Sequence, residues 1–189
     1  ALGISSVGGT MNMVTKSTEA QKGGSAYFGI GNDGFRKYSV SFSTGLMDNG
    51  WAITFMGALN TGDGYVKGTN YEGWTYFGNI SKVINDHHKL SLTAFGAPQW
   101  HNQRSTMHYI EDYKNSPDGG RFNNGYGYIN GEAVGSGYGY NYYHKPQVSL
   151  NHYWTIDEKS TLTTSLYGSM ATGGGRRARS AADGMRRFS

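Results

Sequence analysis

The sequence predicts an all-β chain whose strands have the form of an antiparallel transmembrane β-barrel segment, and three observations carry that prediction. Apolar and polar residues alternate with period 2 through most of the chain, the signature of half-buried strands. One face of each strand is greasy, while the other is small, polar and often hydroxylated. The connections alternate between tight turns and long links, as in barrels with short turns at one rim and long loops at the other.

The elements follow in order. A short leading strand is predicted at 9–15, then strands at 25–31, 35–43, 51–59, 74–83, 89–97, 147–156 and 160–170. In the third of these seven, Trp51, Ile53, Phe55, Gly57 and Leu59 share one face, and Ala52, Thr54, Met56 and Ala58 the other. In the second, Tyr38, Val40 and Phe42 alternate with Lys37, Ser39, Ser41 and Ser43. Asp48-Asn49-Gly50, Asn85-Asp86-His87 and Asp157-Glu158-Lys159 have the composition of tight hairpin turns. Asn32-Asp33-Gly34 is also short but falls on the long-link side. The links 61–73 and 98–145 are long, the second rich in Gly, Tyr and Asn. No stretch reads as a helix of useful length. Trp51 follows one tight turn and Tyr153-Trp154 precede another, which predicts an aromatic girdle at that rim.

Composition narrows the function classes. Among 189 residues there are 30 Gly, about 16% against a usual 7%, with 15 Tyr, 3 Pro and 37% hydrophobic residues. No segment approaches the roughly 18 to 20 apolar residues of a membrane-spanning helix. The absence of Cys removes disulfides, thiol nucleophiles and Cys-ligated metal sites. The chain opens Ala1-Leu2-Gly3 with no initiator Met or leader pattern, as after processing or a cut. The formal charge is +4. Five arginines, Arg176, Arg177, Arg179, Arg186 and Arg187, stand against Asp183 in 172–189 and account for it. The body is neutral, and an Arg-rich end without a scaffold gives only non-specific attraction, so no nucleic-acid partner is expected.

Other patterns lose to plainer readings. Gly29-Ile30-Gly31-Asn32-Asp33-Gly34 matches G-x-G-x-x-G, but a strand rather than a helix follows, so it reads as a hairpin turn. His101 and His108 lie near Glu111 and Asp112, yet their spacing is not that of a metal site, and the loop histidines read as solvated. The adjacent carboxylates Glu111-Asp112 and Asp157-Glu158 do not face each other across a substrate as a glycosidase pair must. Asn79-Ile80-Ser81 matches a glycosylation sequon but falls inside a strand. No catalytic residue, metal or cofactor is expected, and the chain reads as no enzyme.

The stretch Ser6-Val7-Gly8-Gly9-Thr10-Met11-Asn12-Met13-Val14-Thr15-Lys16 resembles the end of the plug domain of TonB-dependent outer-membrane receptors. Gly8, Gly9, Thr10, Asn12 and Thr15 carry that plug-to-barrel motif. Gly62-Asp63-Gly64-Tyr65-Val66 through Trp74, the stretch from Ile84 to Gln99, and the stretch from Lys145-Pro146-Gln147 to Trp154 resemble the first barrel hairpins of such receptors in gut Bacteroidetes. The resemblance runs over about 1–171. It implies three regions: 1–20 as the end of the plug, 21–171 as the first part of a plugged, 22-stranded barrel, and 172–189 as an Arg-rich loop or aberrant tail. It also implies active uptake of a scarce ligand such as a siderophore, vitamin or glycan across the Gram-negative outer membrane. Outer-membrane lipid would surround the chain, and the TonB energy-transducing complex would act through a region this sequence lacks.

Seven strands and a plug strand do not enclose a plugged lumen, so this reading makes the chain part of a larger barrel. Within the long link, Trp100, His101, Arg104 and Tyr109 are the ligand-facing candidates, because polar and aromatic side chains are enriched there. The rival readings are a small stand-alone outer-membrane barrel with an adhesive or structural role, and a secreted β-rich carbohydrate-active enzyme. The hydroxyl-rich face argues against the second.

Overall fold

The computed structural model describes residues 17–104, 107–123, 125–129, 132–134, 139–176 and 185–187. The plug-to-barrel positions Gly8, Gly9, Thr10, Asn12 and Thr15, with the rest of 1–16, lie outside the described residues. The chain is all-β, with antiparallel pairing throughout.

The seven predicted strands form one meander. They are β1 (Gly23–Ile30), β2 (Arg36–Leu46), β3 (Trp51–Gly62), β4 (Tyr71–Val83), β5 (His88–Gly96), β10 (Gln147–Thr155) and β11 (Thr161–Ser169), and they pair in that order. The sheet is open: among the described residues β1 pairs only with β2, and β11 only with β10. The tight turns close as their residues dictate. Gly50 adopts φ 78°, and its N–H donates to the Met47 carbonyl at 2.8 Å. A Cβ at Gly50 would lie 2.6 Å from the Val83 carbonyl oxygen. At the last turn the Lys159 N–H donates to Asp157 Oδ1 at 2.8 Å. That bond, helped by the Ser160 hydroxyl, holds the Asp157 carboxyl below its ordinary value. The turn therefore keeps this contribution at neutral pH and loses it as pH falls through the depressed value.

The link 98–145 is not one loop. It contains β6 (Gln99–His101), a single-turn helix α1 (Ile110–Asn115), β7 (Gly127–Ile129), β8 (Glu132–Val134) and β9 (Tyr140–His144). Likewise Thr172–Arg176, expected as loop or tail, forms β12, and Met185–Arg187 forms β13 against β7. The registers explain why the strand signal was lost. β4 meets β5 at Tyr76↔Gly96 and β6 at Tyr71↔His101, which is one continuous register. The same continuity links β10 to β9 across β5 and β6, and β11 to β12 across β10 and β9. Pro98 and Pro146 interrupt two of these long strands because neither can donate to the ladder. The Pro98 carbonyl still accepts from Trp74 N at 2.8 Å, so pairing resumes unshifted.

Strand register decides the faces, and the sheet is inverted relative to a soluble core. Val40, Phe42, Phe55, Ile80, Leu92, Val148 and Leu150 lie on the exposed face, each more than two-fifths exposed. The buried face carries Ser43, Asn79, Ser81, Ser91 and Thr93, with Ala52 the one fully buried apolar residue among those described. Asn79 is 1% exposed and donates to Ser91 Oγ at 2.8 Å and Thr93 Oγ1 at 2.7 Å. Its carbonyl accepts from Ser81 Oγ at 2.7 Å. Thr54 to Ser43 and Ser165 to Asn151 extend hydroxyl and amide bonding along the same face. The predicted contrast between a greasy and a hydroxylated face is therefore observed, and Asn79 and Ser81 of the sequon are buried.

High Gly and high Tyr have a shared cause. Tyr71, Tyr76 and Tyr142 stand directly opposite Gly62, Gly96 and Gly174 across their ladders. Each ring covers its glycine so closely that a Cβ there would meet ring atoms within about 3 Å. The 3₁₀ turn Ser17–Glu19 packs against β2, β3 and β4, and the chain then passes Gly45, where a Cβ would lie 3.1 Å from Lys22 N. The chain thus enters the sheet at its tight-turn end.

Asn79→Leu should lower stability by about 1 to 3 kcal/mol, since it takes from Thr93 its amide partner on a buried face and leaves Ser81 and Ser91 bonded only to each other. Denaturant unfolding followed by tryptophan fluorescence measures this, and an unchanged midpoint would contradict the bonded row.

Candidate functional site: the long-connection end

Three connections meet at the end of the sheet opposite the tight turns. The β1–β2 turn brings Asp33 in a left-handed conformation, φ 56°, which a short polar side chain tolerates. The β3–β4 link, shorter than predicted at residues 63–70, brings Tyr65 and Lys67. The segment after α1 brings Asp118, Arg121, Phe122 and Asn123.

Arg121 joins all three. Its guanidinium pairs with Asp33 Oδ1 at 2.6 Å, donates to the Tyr65 carbonyl at 3.2 Å and lies 4.7 Å from the Tyr65 ring centre. A planar guanidinium fits this combination because its donors lie in the plane and its face is left for the ring. Lys67 Nζ reaches Asp118 Oδ1 at 2.6 Å, Lys67 N donates to the Arg121 carbonyl, and Asn123 Nδ2 donates to the Lys67 carbonyl at 2.7 Å. The long connection is therefore tied back onto the sheet by charge and backbone bonds, with little apolar burial.

The four predicted ligand-facing residues do not form one cluster. Trp100 and His101 are consecutive in β6 and project to opposite faces. Trp100 stacks on Tyr140 at 6.2 Å on the same face as the exposed apolar row, and the Arg176 guanidinium covers Tyr140 at 5.2 Å. His101 is on the other face, its Nε2 3.2 Å from Gln103 Oε1. Arg104 donates to the Phe122 carbonyl at 3.1 Å and lies over the Tyr113 ring at 5.3 Å, so it braces the connection. Tyr109 is 80% exposed and precedes α1, where its N–H donates to Asp112 Oδ2 at 2.9 Å.

His108, expected among solvated loop histidines, is buried. Its side chain is 3% exposed, between the Tyr113 and Phe122 rings at 5.7 and 5.1 Å, and its Nε2 has no hydrogen-bond partner among the described residues. No three His, Cys, Asp or Glu side chains converge as metal ligands among the described residues. Tyr153, expected in the outer girdle, faces the polar side with Lys89 at 4.7 Å from its ring. Trp51 and Trp154 do lie on the apolar face, 41% and 38% exposed.

The described residues form a cleft at each end of the sheet. One of about 250 Å3 at the long-connection end is lined by Arg36, Thr61, Asn70, Glu72 and Trp100. Arg36, Thr61, Glu72, Trp100 and Tyr142 stand in one cross-strand row. Glu72 is fixed there by Trp74 Nε1 at 2.8 Å. Single-sequence reading missed this row because its members come from five strands. A second cleft of about 470 Å3 at the tight-turn end is lined by Thr18, Leu46, Val83, Lys89 and Tyr153 among others.

Arg121→Ala should loosen the cap and leave the meander intact. Amide exchange at 63–70 and 107–123 should accelerate at least about tenfold, while β3, β4 and β5 keep their protection; uniform exchange across both regions would show that Arg121 is not the tie. Comparison with family models, curated proteins and solved structures finds no match to this chain.

Proposed function

We propose that this chain is a stretch of wall from a TonB-dependent outer-membrane receptor, with its tight turns toward the periplasm and its long connections outside. The observation that carries this reading is the inverted sheet. In water, an exposed row of Phe, Ile, Leu and Val opposite a buried row of Ser, Thr and Asn would put the hydrophobic effect on the wrong side. Against lipid the same arrangement is favourable, because hydrocarbon replaces water at the apolar face.

Spacing supports the same reading. Trp51 stands opposite Lys82, and Trp74 lies nine residues along β4 counting both ends. That matches the roughly 9 to 11 residues a tilted strand needs to cross hydrocarbon. Rings lie at both limits of the exposed face: Trp51 and Trp154 at the tight-turn end, and Trp74, Trp100, Tyr140 and Tyr142 at the other. Lys82 Nζ lies over Trp51 at 5.1 Å, a cation at the level of lipid headgroups. The open edges at β1 and β11 must pair with further strands in a membrane, since unpaired backbone in hydrocarbon costs several kcal/mol per group. Entry of the chain at the tight-turn end suits a plug that hands over to the wall there.

On this reading the chain catalyses no covalent reaction. Its long-connection end helps bind a small ligand or glycan, and the TonB complex supplies the energy for uptake.

The test is lipid-depth quenching in the full-length receptor reconstituted in vesicles. Trp51→Phe and Trp74→Phe should each remove a fluorescence component quenched by lipids brominated near the headgroups. If those components respond instead to aqueous acrylamide alone, the wall reading fails. Replacing His101 and Tyr109 together with Ala should weaken ligand binding by about tenfold or more, and unchanged affinity and uptake would remove them from the site.

A further inference from the structure

The sheet holds one pair of histidines that the transport reading does not use. His88 begins β5 and His152 lies within β10, with Leu90↔His152 and His88↔Trp154 as the paired positions. The two histidines are therefore diagonal neighbours on the same, outward face. His88 Nδ1 and His152 Nε2 are 3.0 Å apart, and the ring planes differ by 14°. The centroids are 5.2 Å apart, so the rings meet edge to edge in nearly one plane, each directing a nitrogen at the other. Trp154 packs beside His88 with centroids 5.5 Å apart, which limits the ring's freedom.

We propose that His88 and His152 form a two-histidine site for a divalent transition-metal ion, with copper(II) the best fit, that staples β5 to β10. The two nitrogens now face each other along the N···N line as a hydrogen-bonded pair; once both rings turn their lone pairs off that line onto a common ion, metal–imidazole bonds of about 2.0 to 2.1 Å to nitrogens 3.0 Å apart meet at roughly a right angle. That is the cis angle of a tetragonal copper(II) or nickel(II) site; a tetrahedral zinc site requires the nitrogens to spread. Copper(II) also heads the affinity order for nitrogen ligands. With both imidazoles neutral, the bridging proton moves to the far nitrogen of its own ring, and both inner lone pairs become available without net proton release. Water completes the coordination, since no third His, Asp or Glu joins the pair among the described residues.

The position gives the site a purpose. β5 and β10 are the only consecutive partners in the seven-strand meander that no hairpin joins; residues 97–146 intervene. An ion that binds the paired state and not the separated strands stabilises that one long-range junction.

The experiment titrates copper(II) sulfate into the folded full chain, read by isothermal calorimetry and by electron paramagnetic resonance. One ion per chain with a two-nitrogen superhyperfine pattern is expected. His88→Ala and His152→Ala should each weaken binding by more than the roughly tenfold that loss of a supporting partner costs. His87→Ala and His101→Ala should leave it unchanged. Should the Ala variants fail to fold, copper protection of His88 and His152 from diethylpyrocarbonate in the unaltered chain gives the same reading. A one-nitrogen spectrum, affinity unaltered by both variants, or equal protection of all six histidines would overturn the site.

Discussion

Everything in this molecule depends on strand register. Side chains alternate with period 2, so a slip of one residue in any ladder would carry an entire apolar row to the polar side and the hydroxyl row to the outside. The ladders prevent this by running unshifted through their interruptions. Pro98 and Pro146 remove two donors, yet the pairings on either side keep one register. The bulge between Ser43 and Leu46 is the one shift in the meander, and it sits at the end of β2 where the entering chain crosses Gly45.

The two faces then obey different physics. The polar face is held by directed bonds: Asn79 satisfies both amide atoms with Ser81, Ser91 and Thr93, which makes its burial affordable. The apolar face has no such partners and gains only by leaving water. Glycine and tyrosine act together along both faces, because a ring laid over a cross-strand glycine fills the space a missing side chain leaves. A composition that reads as poorly cored in a soluble domain is that of a sheet one layer thick.

The cap follows a third logic. Its segments bury few apolar side chains, so Arg121, Lys67, Asp33 and Asp118 tie it down with paired charges. Such ties are partly exposed and individually weak, which suits a region whose ends must stay near the sheet without being part of it. His108 is the exception, a buried ring wedged between Tyr113 and Phe122.

The sequence by itself determined the seven meander strands, their tight turns and their two contrasting faces, because alternation and turn chemistry are local properties of neighbouring residues. It could not show that 98–145 and 172–176 continue those strands, since prolines and glycines mask the alternation and only the partner's register restores it. The candidate residues were legible as types and not as a cluster: Trp100 and His101 separate to opposite faces, and Arg104 is spent bracing Phe122. Only tertiary structure decided which residues from distant strands share a row, as Arg36, Glu72 and Trp100 do, or meet nitrogen to nitrogen, as His88 and His152 do. Adjacency across a sheet is set by pairing between strands far apart in the chain, and no single strand carries it.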